Sequence, residues 1–183
     1  MSAPVLILPG IGNPEPQHWQ SLWEQSSSEF GRVQQRDWNN PVCEEWGAAL
    51  EVAAKRAGSS VVVVAHSLAC LVVAHWAAQE HASIKAALLI AVPDPTGPHF
   101  QKEAIGFSVT PTKPFAFPSV VVASTDDPYG TIEHVSRLAK AWGSHLVNIG
   151  ACGHINASSD LETWPDGYEL LSQFERSETS VTK

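Results

Sequence analysis

Three kinds of side chain in this sequence could share one reaction: the hydroxyl of Ser67, the carboxylates of Asp126 and Asp127, and the imidazole of His154. A serine hydroxyl is a poor nucleophile at neutral pH. An imidazole can accept its proton, and a carboxylate can fix the imidazole tautomer and stabilise the imidazolium that forms. Each group follows a strand-like run: valines 61–64 before Ser67, valines 120–122 before the aspartates, and residues 145–149 before His154. Residues that end the strands of a parallel sheet gather along one rim, so groups far apart in the chain can meet there.

Taken singly, each residue also has a plain structural reading. Ser67 could cap the helix that follows it, Asp127 before Pro128 could start a turn, and His154 could be an isolated loop histidine. Their joint occurrence after three strands favours a catalytic Ser-His-Asp set, with either aspartate as the acid. Cys152 is a rival nucleophile, but a side chain two residues before the histidine on one loop seldom points at that ring. A metal site built from His66, His154 and Asp127 lacks the ligand spacing such sites carry.

The strongest local signal lies in residues 60–70. Four valines suit a strand buried on both faces, and the stretch from Leu68 to Ala78 is helix-forming, with no loop residues between. A serine at such a junction is pushed out on a sharp turn, the nucleophile elbow of the α/β-hydrolases, written G-x-S-x-G. Here Ala65 and Ala69 fill the small flanking positions. The chain order serine, aspartate, histidine is also the α/β-hydrolase order. In that fold the oxyanion would be held by the backbone N–H of Leu68 and by one N–H from the loop after the first strand, among Gly10, Ile11, Gly12 and Asn13. His18, Trp19 and His66 are the expected substrate-contacting side chains, although His18 could instead serve only the start of its helix. The glycines of that first loop form neither G-x-G-x-x-G nor a Walker pattern, so a phosphate-binding reading is set aside.

The elements that must position these groups alternate between strand and helix about six times. Strands are expected at 5–8, 32–36 (a polar edge), 60–65, 86–92, 119–124 and 145–149. Helices are expected from 18, from 41 to 57, from 68 to about 80, from 131 to 142 and from 164 to 174. Such alternation predicts a parallel α/β sheet of about six strands covered on both faces. Residues 93–118 carry six prolines and are expected to wrap over the top of the sheet, where a larger hydrolase carries a lid domain, leaving a shallow pocket. Phe107, Phe115, Phe117 and Phe100 are expected mostly to anchor that segment.

At 183 residues, with 44% hydrophobic and 16% charged residues, the chain is expected to form one domain over 1–176, followed by a frayed polar tail at 177–183. Acidic residues outnumber basic ones by 19 to 11, and the basic ones are scattered, which argues against a nucleic-acid or anionic-membrane partner. The apolar run at the start is too short for a signal peptide or a membrane span. Three cysteines without ligand spacing fit a reducing, cytoplasmic setting. The seven tryptophans are expected to be core or pocket wall.

Several combinations resemble the small serine-hydrolase family that includes retinoblastoma-binding protein 9 and the bacterial YdeN-type proteins. They are Leu8-Pro9-Gly10, His18-Trp19 with Trp23, Asp37-Trp38, Pro41 with Trp46, Ala65-His66-Ser67-Leu68, Ser124-Thr125-Asp126-Asp127-Pro128-Tyr129 and Cys152-Gly153-His154. The resemblance covers nearly the whole chain. It implies that the acid is the residue just before the proline, Asp127, and that the activity is that of an esterase-like or amidase-like serine hydrolase acting on a small acyl substrate without metal or organic cofactor. The alternative is an interaction module that keeps the fold and turns over little. The nearest stretch to an L-x-C-x-E peptide, residues 41–45, begins with proline and supplies no such motif.

Overall fold

A computed structural model describes residues 3–79 and 83–176 of the chain. The tail at 177–183 and the expected helix end at Glu80 lie outside the described residues. Six strands, β1 (Val5–Leu8), β2 (Phe30–Arg32), β3 (Val62–His66), β4 (Ala86–Ile90), β5 (Ser119–Ala123) and β6 (His145–Asn148), form one sheet in the order β2-β1-β3-β4-β5-β6. Every pairing is parallel. Among the described residues five α-helices, α1 (Trp19–Ser26), α2 (Cys43–Ala57), α3 (Leu68–Ala77), α4 (Ile132–Trp142) and α5 (Pro165–Arg176), provide the crossovers and the final cover.

The period-two alternation of a strand divides its side chains between two cores. Leu6, Leu8, Val63, Ala65, Leu89 and Val121 pack with Trp46, Leu50, Leu71 and Trp142 from α2, α3 and α4. Val5, Ile7, Val62, Val64, Leu88 and Val120 face α1 and α5, through Trp19, Trp23, Leu171 and Phe174. Strands β3 and β4 are buried along their whole length, which explains their unbroken apolar sequences. The chain steps one way from β1 to β2 and the other way from β1 to β3. The strand order therefore reverses between β1 and β3, and a crevice opens at their carboxyl ends.

Two expected boundaries shift. The edge strand is Phe30–Arg32, not 32–36, because Phe30 is the side chain that packs inward, against Trp23 and Tyr168. After Val33 donates its N–H to the Ile7 carbonyl (2.9 Å), the chain leaves the sheet. The proline-rich segment covers the sheet top only near its start, where Pro93, Phe100 and Gln101 border the crevice. The remainder descends beside α2 and α4: the Cys43 N–H donates to the Ile105 carbonyl and the Ile105 N–H to the Pro41 carbonyl (both 2.9 Å), and Phe115 stacks against Phe117 and Trp142 at 5.1 Å from each. Phe107, fully buried, anchors that descent.

Candidate active site

The sharp turn expected at Ser67 is present. Its backbone has φ 57° and ψ −129°, a conformation costly for a residue with a Cβ. The surroundings hold it there: the Ser67 N–H donates to the Ile90 carbonyl (2.9 Å), and the Cys70 N–H closes the first helical turn onto the Ser67 carbonyl (2.9 Å). Gly10, at the end of β1, runs directly against this turn. A Cβ at position 10 would stand 2.9 Å from Ser67 Cβ and 3.2 Å from the His66 carbonyl, so only glycine fits.

The Ser67 hydroxyl donates to His154 Nε2 at 2.8 Å, and His154 Nδ1–H donates to both Asp127 oxygens at 2.9 Å. The proton positions are assigned from the network, with the carboxylate oxygens as acceptors. The Asp127 side chain is 2% exposed and also accepts the Tyr129 N–H at 2.9 Å. Asp126 has a different task. Its Oδ1 accepts from Ser124 Oγ (2.7 Å) and from the Gly153 N–H (2.7 Å), while Ser124 Oγ accepts the Cys152 N–H (2.9 Å). The hydrogen bonds from Ser124 and Gly153 hold the Asp126 carboxyl below the usual carboxylate range. One aspartate thus meets the imidazole, and its neighbour ties down the loop that carries it.

That loop is held from the opposite side by Trp19, whose indole N–H donates to the Ile155 carbonyl (2.8 Å). Ile155 is fully buried with φ 50°, strained for a β-branched residue and kept in place by these contacts. Trp19 was expected beside the substrate, but the structure places it behind the cavity wall. It is 1% exposed, packed among Trp23, Trp164 and His66, and does not border the cavity, because an indole of that size at the first turn of α1 is drawn into the core.

The cavity above Ser67 has a volume of about 220 Å³. His18, His66 and His154 border it, with ring centroids 4.9 Å apart for the first two and 5.0 Å for the last two. His66 Nε2–H donates to the His154 carbonyl (2.9 Å), and His18 Nδ1 accepts the Gln20 N–H (3.1 Å) as the N-cap of α1, so His18 serves both its helix and the cavity. Burial, reinforced by His154 and Arg32, lowers the His18 pKa to about 4. Burial first, then His154 and His18, lowers that of His66 well below its ordinary value. Both rings are neutral in the folded protein, whereas the unfolded chain protonates them below about pH 6.5. Stability is accordingly fully present above about pH 6.5 and declines as the pH falls toward about 4, by a few kcal/mol. The midpoint of thermal unfolding, measured across that window, should drop, and His66→Gln should flatten the drop; a level profile for the parent protein would contradict buried neutral rings.

Within the loop after β1, Gly10 and Ile11 border the cavity, but Gly12 and Asn13 do not. The Gly12 N–H is committed to the Trp38 carbonyl (2.9 Å), and the Asn13 side chain accepts from Arg32 (2.7 Å). Neither residue borders the cavity, and the Gly12 N–H is in addition engaged, so Gly10 and Ile11 are the residues of that loop that lie beside Ser67. The Leu68 N–H lies in the first turn of α3, where a helix offers no internal acceptor. Cys152 Sγ turns to the Ile149 carbonyl (3.6 Å) and away from the cavity.

A family model described as serine hydrolase matches residues 5–173. The chain belongs to the serine hydrolase family. A structure described as a YdeN-like hydrolase from Pectobacterium atrosepticum superposes on this serine hydrolase with a TM-score of 0.84 at 26% identity, covering 96% of this chain and 91% of that one. The ydeN product of B. subtilis gives 0.75 at 18%, covering 94% and 98%. Thermogutta terrifontis esterase 2 gives 0.72 at 16%, covering 100% and 85%. The last two speak for the fold alone, that of an α/β-hydrolase. No curated protein sequence matches the chain.

Three residues of this serine hydrolase's site escaped the sequence reading. Gln20 lies fully buried beneath the crevice, Tyr129 sets its ring 4.4 Å from that of His154, and Asn156 borders the cavity. Tyr129 had a signal, since it follows the acid by two residues; Gln20 had none, because a glutamine in an amphipathic helix reads as surface. Among the described residues no three His, Cys, Asp or Glu side chains converge as metal ligands, and no helix is long and apolar enough to cross a membrane.

Proposed function

We propose that the protein is an esterase-type hydrolase that works through an acyl-serine at Ser67, with His154 as general base and acid and Asp127 as its orienting carboxylate. The observation that carries this reading is the unbroken hydrogen-bonded line from Ser67 Oγ through His154 to Asp127 at the edge of a cavity. In the first step Ser67 Oγ attacks the substrate carbonyl carbon while its proton passes to His154 Nε2. The negative oxygen of the tetrahedral intermediate takes hydrogen bonds from the Leu68 N–H and from an N–H of Gly10 or Ile11. The intermediate collapses by breaking the bond to the leaving oxygen, which receives the proton from His154. Water then gives its proton to His154, attacks the acyl-serine, and releases the carboxylic acid with Ser67 restored.

The neutral His66 and His18 suit this cycle, since only one of three adjoining rings can carry charge cheaply in so dry a site. A fluorophosphonate probe tests the proposal. It should modify one serine, and the adduct should map to the peptide containing Ser67. That Thermogutta terrifontis esterase 2 is described as phosphonylated by cyclosarin supports this choice of probe. A protein that keeps the fold only as a binding module would stay unlabelled.

A further inference from the structure

Among the polar residues that border the cavity beside Ser67, Gln20 and His18 lie deepest and carry atoms that the acyl transfer leaves unused. Gln20 is 0% exposed and borders the cavity. Its Nε2–H groups donate to the carbonyls of Leu8 (3.2 Å) and Val64 (3.5 Å). This fixes the orientation of the carboxamide, because turning it over would set Oε1 against two carbonyl oxygens. Oε1 is thereby left buried with no partner among the described residues. Native proteins leave few buried acceptors unpaired, and each calls for a donor.

The second atom belongs to His18. Its Nδ1 is taken up by the Gln20 N–H, so the neutral ring carries its proton on Nε2. That ring borders the same cavity at 4% exposure. With its pKa lowered to about 4 by burial, it offers an N–H without a charge. Among the described residues no Asp, Glu, Lys or Arg borders the cavity, so a charged substrate group would be desolvated there without a counter-ion. A hydroxyl is the smallest neutral group that accepts one hydrogen bond and donates another.

We propose that His18 Nε2–H and Gln20 Oε1 bind a hydroxyl on the acyl chain of the substrate, so that the preferred substrates are short, neutral hydroxyacyl esters. This rests on the acyl-serine reading of Ser67. The hydroxyl accepts from His18 and donates to Gln20. A methyl group in its place leaves both protein atoms unpaired, which a site of this kind penalises far more than a lost apolar contact. The cavity, about 220 Å³, suits an acyl chain of a few carbons.

The test compares matched ester pairs that differ only by hydroxyl against methyl: lactyl with isobutyryl, and β-hydroxybutyryl with isovaleryl, by acid release in a pH-stat. The expected kcat/KM ratio is about tenfold or more in favour of the hydroxyacyl ester in at least one pair. His18→Asn keeps a side-chain acceptor to cap α1 but removes the Nε2–H, and Gln20→Met removes the acceptor at similar volume. Each folded variant should pull the ratio toward one. A ratio below tenfold in both pairs, or one that His18→Asn leaves unchanged, would overturn the assignment. Ser67→Ala separates the two readings: if it stops turnover of every ester while no pair shows the preference, the acyl-serine stands and the hydroxyacyl class falls. If turnover survives Ser67→Ala, the acyl-serine itself falls.

Discussion

Ser67→Ala should lower kcat for a short-chain p-nitrophenyl ester by on the order of a million-fold while leaving the fold intact. The size follows from what is removed. Without Oγ no acyl-enzyme forms, and what is left is the residual catalysis that oxyanion donors and binding alone can give. Stability should scarcely change, because alanine inherits the same backbone, φ 57°, and loses only the hydrogen bond to His154 at 2.8 Å. Turnover within about tenfold of the parent would sink the acyl-serine reading. Equal thermal unfolding midpoints for the two proteins would exclude misfolding as the cause of a loss.

Asp127→Asn should lower kcat by about ten-thousand-fold, the second-largest effect, through the wrong tautomer. The carboxylate now accepts the His154 Nδ1–H at 2.9 Å on both oxygens. An amide at that position can present its N–H to Nδ1, which moves the ring proton to Nε2, and a protonated Nε2 cannot accept from Ser67. Asp126→Asn is the informative comparison. Asparagine still offers an oxygen to Ser124 and Gly153, so activity should fall no more than about tenfold. If the two substitutions cost the same, the division of labour between the neighbouring carboxylates is wrong.

The pair of aspartates also illustrates how far a sequence can be read. Adjacent residues after a strand point to opposite sides, so composition and spacing leave both open; only the resemblance to a known family singled out Asp127. The hydrogen bonds agree with that selection and also give Asp126 a task that no motif announces, the clamping of residues 152–153. The loop after β1 is the converse case. Four candidate N–H groups were equivalent in sequence, and a contact to Trp38 from another part of the chain withdrew Gly12. Trp19 was misread for a related reason: an aromatic beside His18 looks like pocket wall until the packing of Trp23 and Trp164 draws it inward.

What the sequence determined by itself was local. Unbroken valine runs, prolines and glycines at element ends, and a serine wedged between a strand and a helix specify a parallel sheet and its most strained turn, because those preferences act over a few neighbouring residues. The tertiary structure decided the order of the strands, the reversal between β1 and β3, and which polar atoms finish without partners. Those depend on contacts such as Gly10 against Ser67 and Trp19 with Ile155, which join segments more than fifty residues apart and are specified only when the whole core is assembled.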